Sequence, residues 1–266
     1  MELYEAILLG IVQGLTEFLP VSSSGHLELG KALIGDESLP KESMLFTVVV
    51  HAATALATLL VYKTDVANIL KGTFIYKERE HRSFSIKILL SMIPAVFIGM
   101  IFSEKIELFF SQQISLVGSM LIITAGLLLI ADNPKNKEKD VSFATSLIIG
   151  LSQAIAILPG ISRSGATIST GILLGINREK AAKFSFLMVV PLIFGKIIKD
   201  LLDGAVLINE SQYETLLGGF LAAFITGFYA CKWMISLVKQ AKLKYFSIYC
   251  FLVGLFAILS QVQNLI

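Results

Sequence analysis

The sequence predicts an all-α integral membrane protein, with six transmembrane helices plus two re-entrant helical hairpins arranged as an inverted-topology repeat. Three observations carry this reading. The 266-residue chain is 55% hydrophobic and only 16% charged, with a mean hydropathy of +0.77, whereas a soluble domain carries about a quarter charged residues. Six apolar runs approach the roughly 20 residues that cross a bilayer. Two further apolar stretches are broken in the middle by Pro, Ser and Gly and match each other in register.

Composition also excludes function classes. The two cysteines, Cys231 and Cys250, have neither disulfide-framework nor metal-ligand spacing. Net charge is +2 with scattered basic residues, which argues against nucleic acid as a partner. The apolar content excludes disorder. The N-terminus, Met1-Glu2-Leu3-Tyr4-Glu5, lacks the positive region of a signal peptide.

Along the chain, the expected crossings are Ser43 to Tyr62, Ile88 to Ser103, Leu108 to Ala131, Phe184 to Gly195, Thr215 to Cys231 and Tyr245 to Ile266. The fourth is the weakest, because Lys196 and Lys199 near its end must snorkel. The broken stretches are Leu3 to Ile34, interrupted over Leu19 to His26, and Val141 to Ile176, interrupted over Pro159 to Gly165. Each half is too short to span, so each pair reads as a hairpin that enters and leaves on one face.

Loop charges agree with that count. With each hairpin contributing no crossing, one face receives Lys63, Lys71, Lys77, Arg79, Arg82, Lys135, Lys137, Lys139, Arg178, Lys180, Lys183, Lys232, Lys239, Lys242 and Lys244. The other receives Lys31, Lys41, Lys105, Lys196 and Lys199. Fifteen against five is a strong positive-inside bias. It makes the 63–84, 132–140 and 232–244 loops cytoplasmic and puts both termini outside.

The two broken stretches align without gaps at an offset of 140. Gly10, Gln13, Ser22, Ser24, Gly25 and Gly35 match Gly150, Gln153, Ser162, Ser164, Gly165 and Gly175, and Phe46 to Val50 runs against Phe186 to Val190. At an offset of 128, Gly99 and Gly126 match Gly227 and Gly254. The expected organisation is one membrane domain of two repeats, about 1–131 and 141–266, joined by a cytoplasmic loop. Each repeat has three crossings, an odd number, so the copies lie inverted and the hairpin tips meet near the midplane.

Each tip carries Ser-x-Ser-Gly before a helix resumes. Unpaired N–H groups at a helix start, with Gly allowing close approach, form an anion cradle to which the serines add donors. This makes Ser22, Ser24, Gly25, Ser162, Ser164 and Gly165 candidate substrate-binding residues, with Gln13 counted beside them; the alternative is that the serines only cap buried helices. The copies differ in chemistry. The first has Glu17, Ser23 and His26 where the second has Ile157, Arg163 and Ala166. Gln13 and Glu17, four apart, share a helix face with Gly10 and Gly14. A buried carboxylate needs a partner, and Arg163 is the candidate, either as a structural ion pair or as part of a reaction centre. The guanidinium suits phosphate oxygens and the charge of a phosphoryl-transfer transition state. His26 is placed to act as base toward Ser23, as acid toward a leaving group, or as nucleophile. His51, mid-span, either lines the cavity or packs through a hydrogen bond. His81 reads as surface, and Glu5, Glu28 and Lys31 flank the outer mouth without a chemical role.

Gln13 to Glu17, continued by Phe18-Leu-Pro-Val-Ser-Ser-Ser-Gly-His26, and then Pro159-Gly-Ile-Ser-Arg-Ser-Gly-Ala-Thr167, resemble the bacterial undecaprenyl-diphosphate phosphatases of the bacitracin-resistance type. The similarity covers essentially the whole chain. It implies removal of the terminal phosphate of a 55-carbon polyprenyl diphosphate, which recycles the lipid carrier of peptidoglycan synthesis in the bacterial plasma membrane. It further implies a site open to the outer face, a divalent cation, and bacitracin resistance on overproduction, because the drug sequesters the substrate. Carried onto this sequence, Ser23 looks like the nucleophile, Glu17 and His26 like acid/base and positioning groups, and Arg163 like the phosphate clamp, helped by Ser162 and Ser164. Gln13 stands where many relatives have a carboxylate, so Glu17 with substrate phosphates and water is the expected Mg2+ or Ca2+ site. The expected partners are the polyprenyl diphosphate lipid, the bilayer and a second copy in a homodimer. A transporter or flippase of a polyprenyl phosphate lipid is the rival reading, since inverted repeats with broken helices are also transporter architecture.

Overall fold

A computed structural model gives the arrangement of residues 1–35, 40–102, 113–132, 138–202, 212–240 and 242–262. Lys105, Lys135 and Lys137, the first residues of the run expected from Leu108, and the last four residues of the chain lie outside the described residues.

The described residues form helices, with one isolated bridge between Lys139 and Ile176. In chain order they are α1 (Leu3–Phe18), α2 (Ser23–Ile34), α3 (Pro40–Val61), α4 (Lys63–Leu70), α5 (Arg79–Ile101), α6 (Ile114–Asp132), α7 (Phe143–Ile155), α8 (Arg163–Leu173), α9 (Arg178–Leu202), α10 (Tyr213–Lys239) and α11 (Leu243–Val262). Six of these, α3, α5, α6, α9, α10 and α11, are long and apolar enough to cross a membrane, and one falls on the described part of each of the six expected runs. Helix α5 begins at Arg79, nine residues before the apolar run, because a helix start tolerates charge where it leaves the hydrocarbon.

The remaining apolar helices are short. α1, α2, α7 and α8 have 16, 12, 13 and 11 residues. At 1.5 Å per residue they measure about 24, 18, 20 and 17 Å, below the ~30 Å of a hydrocarbon core. They pair as α1–α2 and α7–α8, each around the Pro/Ser/Gly break read from the sequence.

Packing between the two halves of the chain comes in matched pairs. α1 lies against α10 while α7 lies against α5, α3 meets α9, and α6 meets α11. Small residues permit these approaches. A Cβ on Gly10 would sit 2.4 Å from the carbonyl oxygen of Gly219, and one on Gly150 2.4 Å from that of Ser91. These two glycines are equivalent at the 140-residue offset, and each admits a neighbouring backbone at the same place in its hairpin. Gly14 is tighter still: a Cβ there would lie 1.9 Å from Thr226 Oγ1 and 2.6 Å from the Ala223 carbonyl oxygen. Gly14→Val is therefore expected to destabilise by about 1–3 kcal/mol through overpacking. Its thermal unfolding in detergent should occur below that of the parent; an unchanged transition would contradict the α1–α10 packing.

The charged ends after α3 and α10, before α7 and before α9 gather at one end of the bundle. Lys183 pairs with Asp65, Lys180 with Asp140, and Lys239 with Glu179 at 2.9 Å, while Arg178 Nη2 donates to the carbonyl of Asp132 at 2.8 Å. Near the middle of the chain's packing, Phe18 meets Phe186 edge-to-face at 5.6 Å, and Phe184 and Phe186 are fully buried. This fixes the end of α1 against α9, which positions Glu17 next to the second break.

Candidate active site

The two breaks touch. A Cβ on Gly25 would lie 3.1 Å from Gly160 Cα, one on Gly165 3.4 Å from Pro20 Cβ, and Ser164 Oγ donates to the Leu19 carbonyl at 3.2 Å. Each break is built the same way. Ser22 caps α2 by accepting from the Gly25 N–H at 3.3 Å, and Ser162 caps α8 by accepting from the Gly165 N–H at 3.0 Å. Ser22–Ser24 and Ser162–Ser164 hydroxyl pairs lie at 3.4 and 3.2 Å. Thr124 of α6 secures the second break, accepting from the Ser162 N–H at 3.0 Å and donating to the Gly160 carbonyl at 3.2 Å.

Where the breaks meet, the chemistry of the two copies combines. Arg163 Nη2 donates to Glu17 Oε1. Ser23 Oγ donates to Glu17 Oε2 at 2.6 Å and Gln13 Nε2 donates to the same oxygen at 3.0 Å. The carboxylate is 7% exposed, a placement an ionised group tolerates only with such partners. Arg163 is steadied by a second bond, Nη1 to the Ser185 carbonyl at 3.3 Å. Thr167, the last residue of the second motif, donates to the Arg163 carbonyl at 2.8 Å, and its hydroxyl lies 2.7 Å from that of Ser185. The second motif thus fixes its arginine to α9.

Beside this cluster lies a cavity of about 190 Å³. Glu17, Ser23, Ser24, His51 and Arg163 form its polar wall. Ala156, Ile157, Ile161, Val189 and Ile193 form its apolar wall. Ile157 occupies in the second copy the place Glu17 has in the first, so the cavity is polar on one side and apolar on the other. A phosphate headgroup fits such a space and a long hydrocarbon chain does not.

The structure brings Glu17, Ser23, Ser24 and Arg163 to the cavity. Of the other sequence candidates, His51 reaches its wall and the rest do not. Gln13 is fully buried behind Glu17 and acts on the carboxylate. Ser22, Gly25, Ser162, Ser164 and Gly165 form the caps and the contact between the breaks, which is the capping role the sequence left open. His26 faces the other way: Nδ1 lies 2.8 Å from the Ser22 carbonyl, Nε2 lies 2.9 Å from the Tyr249 hydroxyl, and its ring stacks on Tyr249. Ser22 has φ of 70°, an unusual backbone for a residue with a Cβ, and His26 holds its carbonyl. His51 does line the cavity, with Nδ1 2.7 Å from the Thr47 carbonyl and Nε2 3.7 Å from Glu17 Oε2.

The side chains present fit a resident divalent cation poorly. No group of three His, Cys, Asp or Glu side chains suited to a metal occurs among the described residues. Both Glu17 oxygens already accept hydrogen bonds, one of them from a guanidinium.

Comparisons with known proteins converge on one family. The chain matches the model for Bacitracin resistance protein BacA over residues 6–256. It is 60% identical over 259 residues to an undecaprenyl-diphosphatase of Christiangramia forsetii, covering 97% of this chain and 98% of the relative. A protein of the same name from Bacteroides fragilis is 46% identical over 268 residues, covering 99% and 100%. One from Methanobrevibacter smithii is 34% identical over 281 residues, covering all of both chains.

Proposed function

The chain belongs to the Bacitracin resistance protein BacA family, and we infer from that membership that it is an undecaprenyl-diphosphatase. It is a multi-pass membrane enzyme that hydrolyses undecaprenyl diphosphate to undecaprenyl phosphate and inorganic phosphate. The lipid carrier is thereby returned to cell-wall synthesis.

The observation that best supports a mechanism is one carboxylate shared by two distant segments: Glu17 receives Arg163 on one oxygen and Ser23 on the other. In our reading, Ser23 Oγ attacks the terminal phosphorus. The bridging P–O bond breaks, and its electron pair leaves with the lipid monophosphate. Glu17 Oε2 takes the Ser23 proton and passes it to the leaving oxygen. Protonation of Glu17 removes the negative partner of Arg163, so the guanidinium can turn its donors to the phosphoryl oxygens, where charge develops. Water then cleaves the phosphoserine. His26 is a positioning residue in this scheme, holding the Ser22 carbonyl just before the nucleophile.

A divalent cation, Mg2+ or Ca2+, would arrive as a counterion on the diphosphate and would be held by the substrate and water rather than by this chain's side chains. Matched packing of α1 on α10 and α7 on α5 supports the reading of two inverted repeats, 1–131 and 141–266, with breaks that enter from opposite faces. Clustering of the ion-paired ends supports one cytoplasmic face, with both termini outside. A homodimer is a separate proposal, checked by the mass of the detergent-solubilised particle.

The test is phosphate release by purified protein from polyprenyl diphosphate in detergent, with no gradient or second compartment. Release is expected; chelator should slow it, and added Mg2+ should restore it, while the unfolding temperature of the substrate-free protein stays unchanged. Absence of release with any cation would overturn the enzymatic reading.

A further inference from the structure

His51 lies outside both sequence motifs, and the mechanism above does not use it. Nδ1 lies 2.7 Å from the Thr47 carbonyl, which can only accept, so Nδ1 carries the hydrogen. In the neutral ring Nε2 is then an acceptor. Thr47 is itself held, its hydroxyl accepting from Lys31 Nζ at 3.2 Å and donating to the Ser43 carbonyl at 2.9 Å. The ring is therefore fixed, with Nε2 on the cavity side.

Nε2 stands 3.7 Å from Glu17 Oε2. That is too long for a hydrogen bond and suits one water bonded to both atoms at about 2.8 Å. The second half of the reaction requires a water in such a place. In the resting enzyme Oε2 is occupied by the Ser23 hydroxyl. Once Ser23 carries the phosphoryl group, that O–H is gone and the position is vacated beside the new phosphorus.

Resting on the phosphoserine mechanism, we propose that His51 Nε2 and Glu17 Oε2 together hold the water that hydrolyses the phosphoenzyme. The water oxygen bonds to phosphorus and the P–Oγ bond breaks. Glu17 removes one water proton and returns it to Ser23 Oγ. The other proton, directed at Nε2, leaves on the inorganic phosphate. His51 is an acceptor that orients the water, so an amide oxygen of similar reach can replace it.

The experiment follows both products from the purified full-length protein in a rapid-quench assay with polyprenyl diphosphate. His51→Leu should form lipid monophosphate in a burst of about one equivalent per enzyme, then release phosphate about 10²-fold more slowly than the parent, the scale of losing one well-placed group. His51→Gln should stay within about tenfold of the parent, and His51→Asn, too short to reach, should resemble the leucine variant. Unfolding temperatures identify a variant that fails to fold, and the Asn/Gln pair then carries the test. The proposal is overturned if the Leu and Asn variants release phosphate at the parental rate. It is equally overturned if both products slow together without a burst, or if Gln behaves as Leu does. Absence of phosphate release by the parent protein would count against the enzymatic reading itself.

Discussion

Arg163→Ala is expected to lower phosphate release by about 10³-fold or more, the scale of removing an arginine that stabilises phosphoryl-transfer charge. Two losses combine in that number. The phosphoryl oxygens lose their only guanidinium among the cavity-lining residues, and Glu17 loses the partner that keeps it ionised in a buried place. Truncating one member of a buried pair also costs stability, about 3–5 kcal/mol, so the unfolding temperature must be measured with the rate. Arg163→Lys separates the effects. Lysine keeps the charge beside Glu17 but lacks the planar fork, so it should restore stability more than rate. An alanine variant within tenfold of the parent rate would remove Arg163 from the reaction.

Ser23→Ala is the second large effect, a loss of about 10³-fold or more in the rate of lipid monophosphate formation. The hydroxyl is 2.6 Å from a carboxylate oxygen, the arrangement of an activated nucleophile and its base. The substitution leaves Arg163 on Glu17, so folding should be nearly unaffected, unlike the arginine change. Quenched parent enzyme should carry phosphate on Ser23. If the alanine variant kept a rate within tenfold of the parent, water would be the direct nucleophile, and the phosphoserine and the role given to His51 would both be lost.

These residues were legible in the sequence because apolar context makes polarity conspicuous. Glu17 and Arg163 are charges set within apolar stretches of a chain with few to spare, and the equivalence of Ser22 with Ser162 announced two similar breaks. The same equivalence gave Gly10 and Gly150, which the structure uses in corresponding helix contacts. The six crossings followed from hydropathy alone, although helix starts did not: α5 begins among charged residues where hydropathy sees only a loop.

Orientation of the histidines was not legible. His26 follows Ser23 by three residues, a spacing that sets two helical side chains side by side, yet its ring turns from the cavity to Tyr249, 223 residues away. Residue spacing cannot foresee a partner so distant in the chain. His51 presented the opposite difficulty, a single imidazole in an apolar helix with no motif around it. Its meaning depends on Glu17, which comes from a different helix. The signal was its polarity at mid-span, with Thr47 one turn before it to fix the ring.

Glu17 of the first hairpin and Arg163 of the second act as one unit. The most direct test is a double-variant cycle in single-turnover kinetics with Glu17→Gln, Arg163→Gln and the combination. Groups that work together lose their effect once, so the double variant should be no more than about tenfold slower than the slower single variant. If the two losses instead multiply in full, the carboxylate and the guanidinium act independently, and the shared centre between the two breaks is refuted.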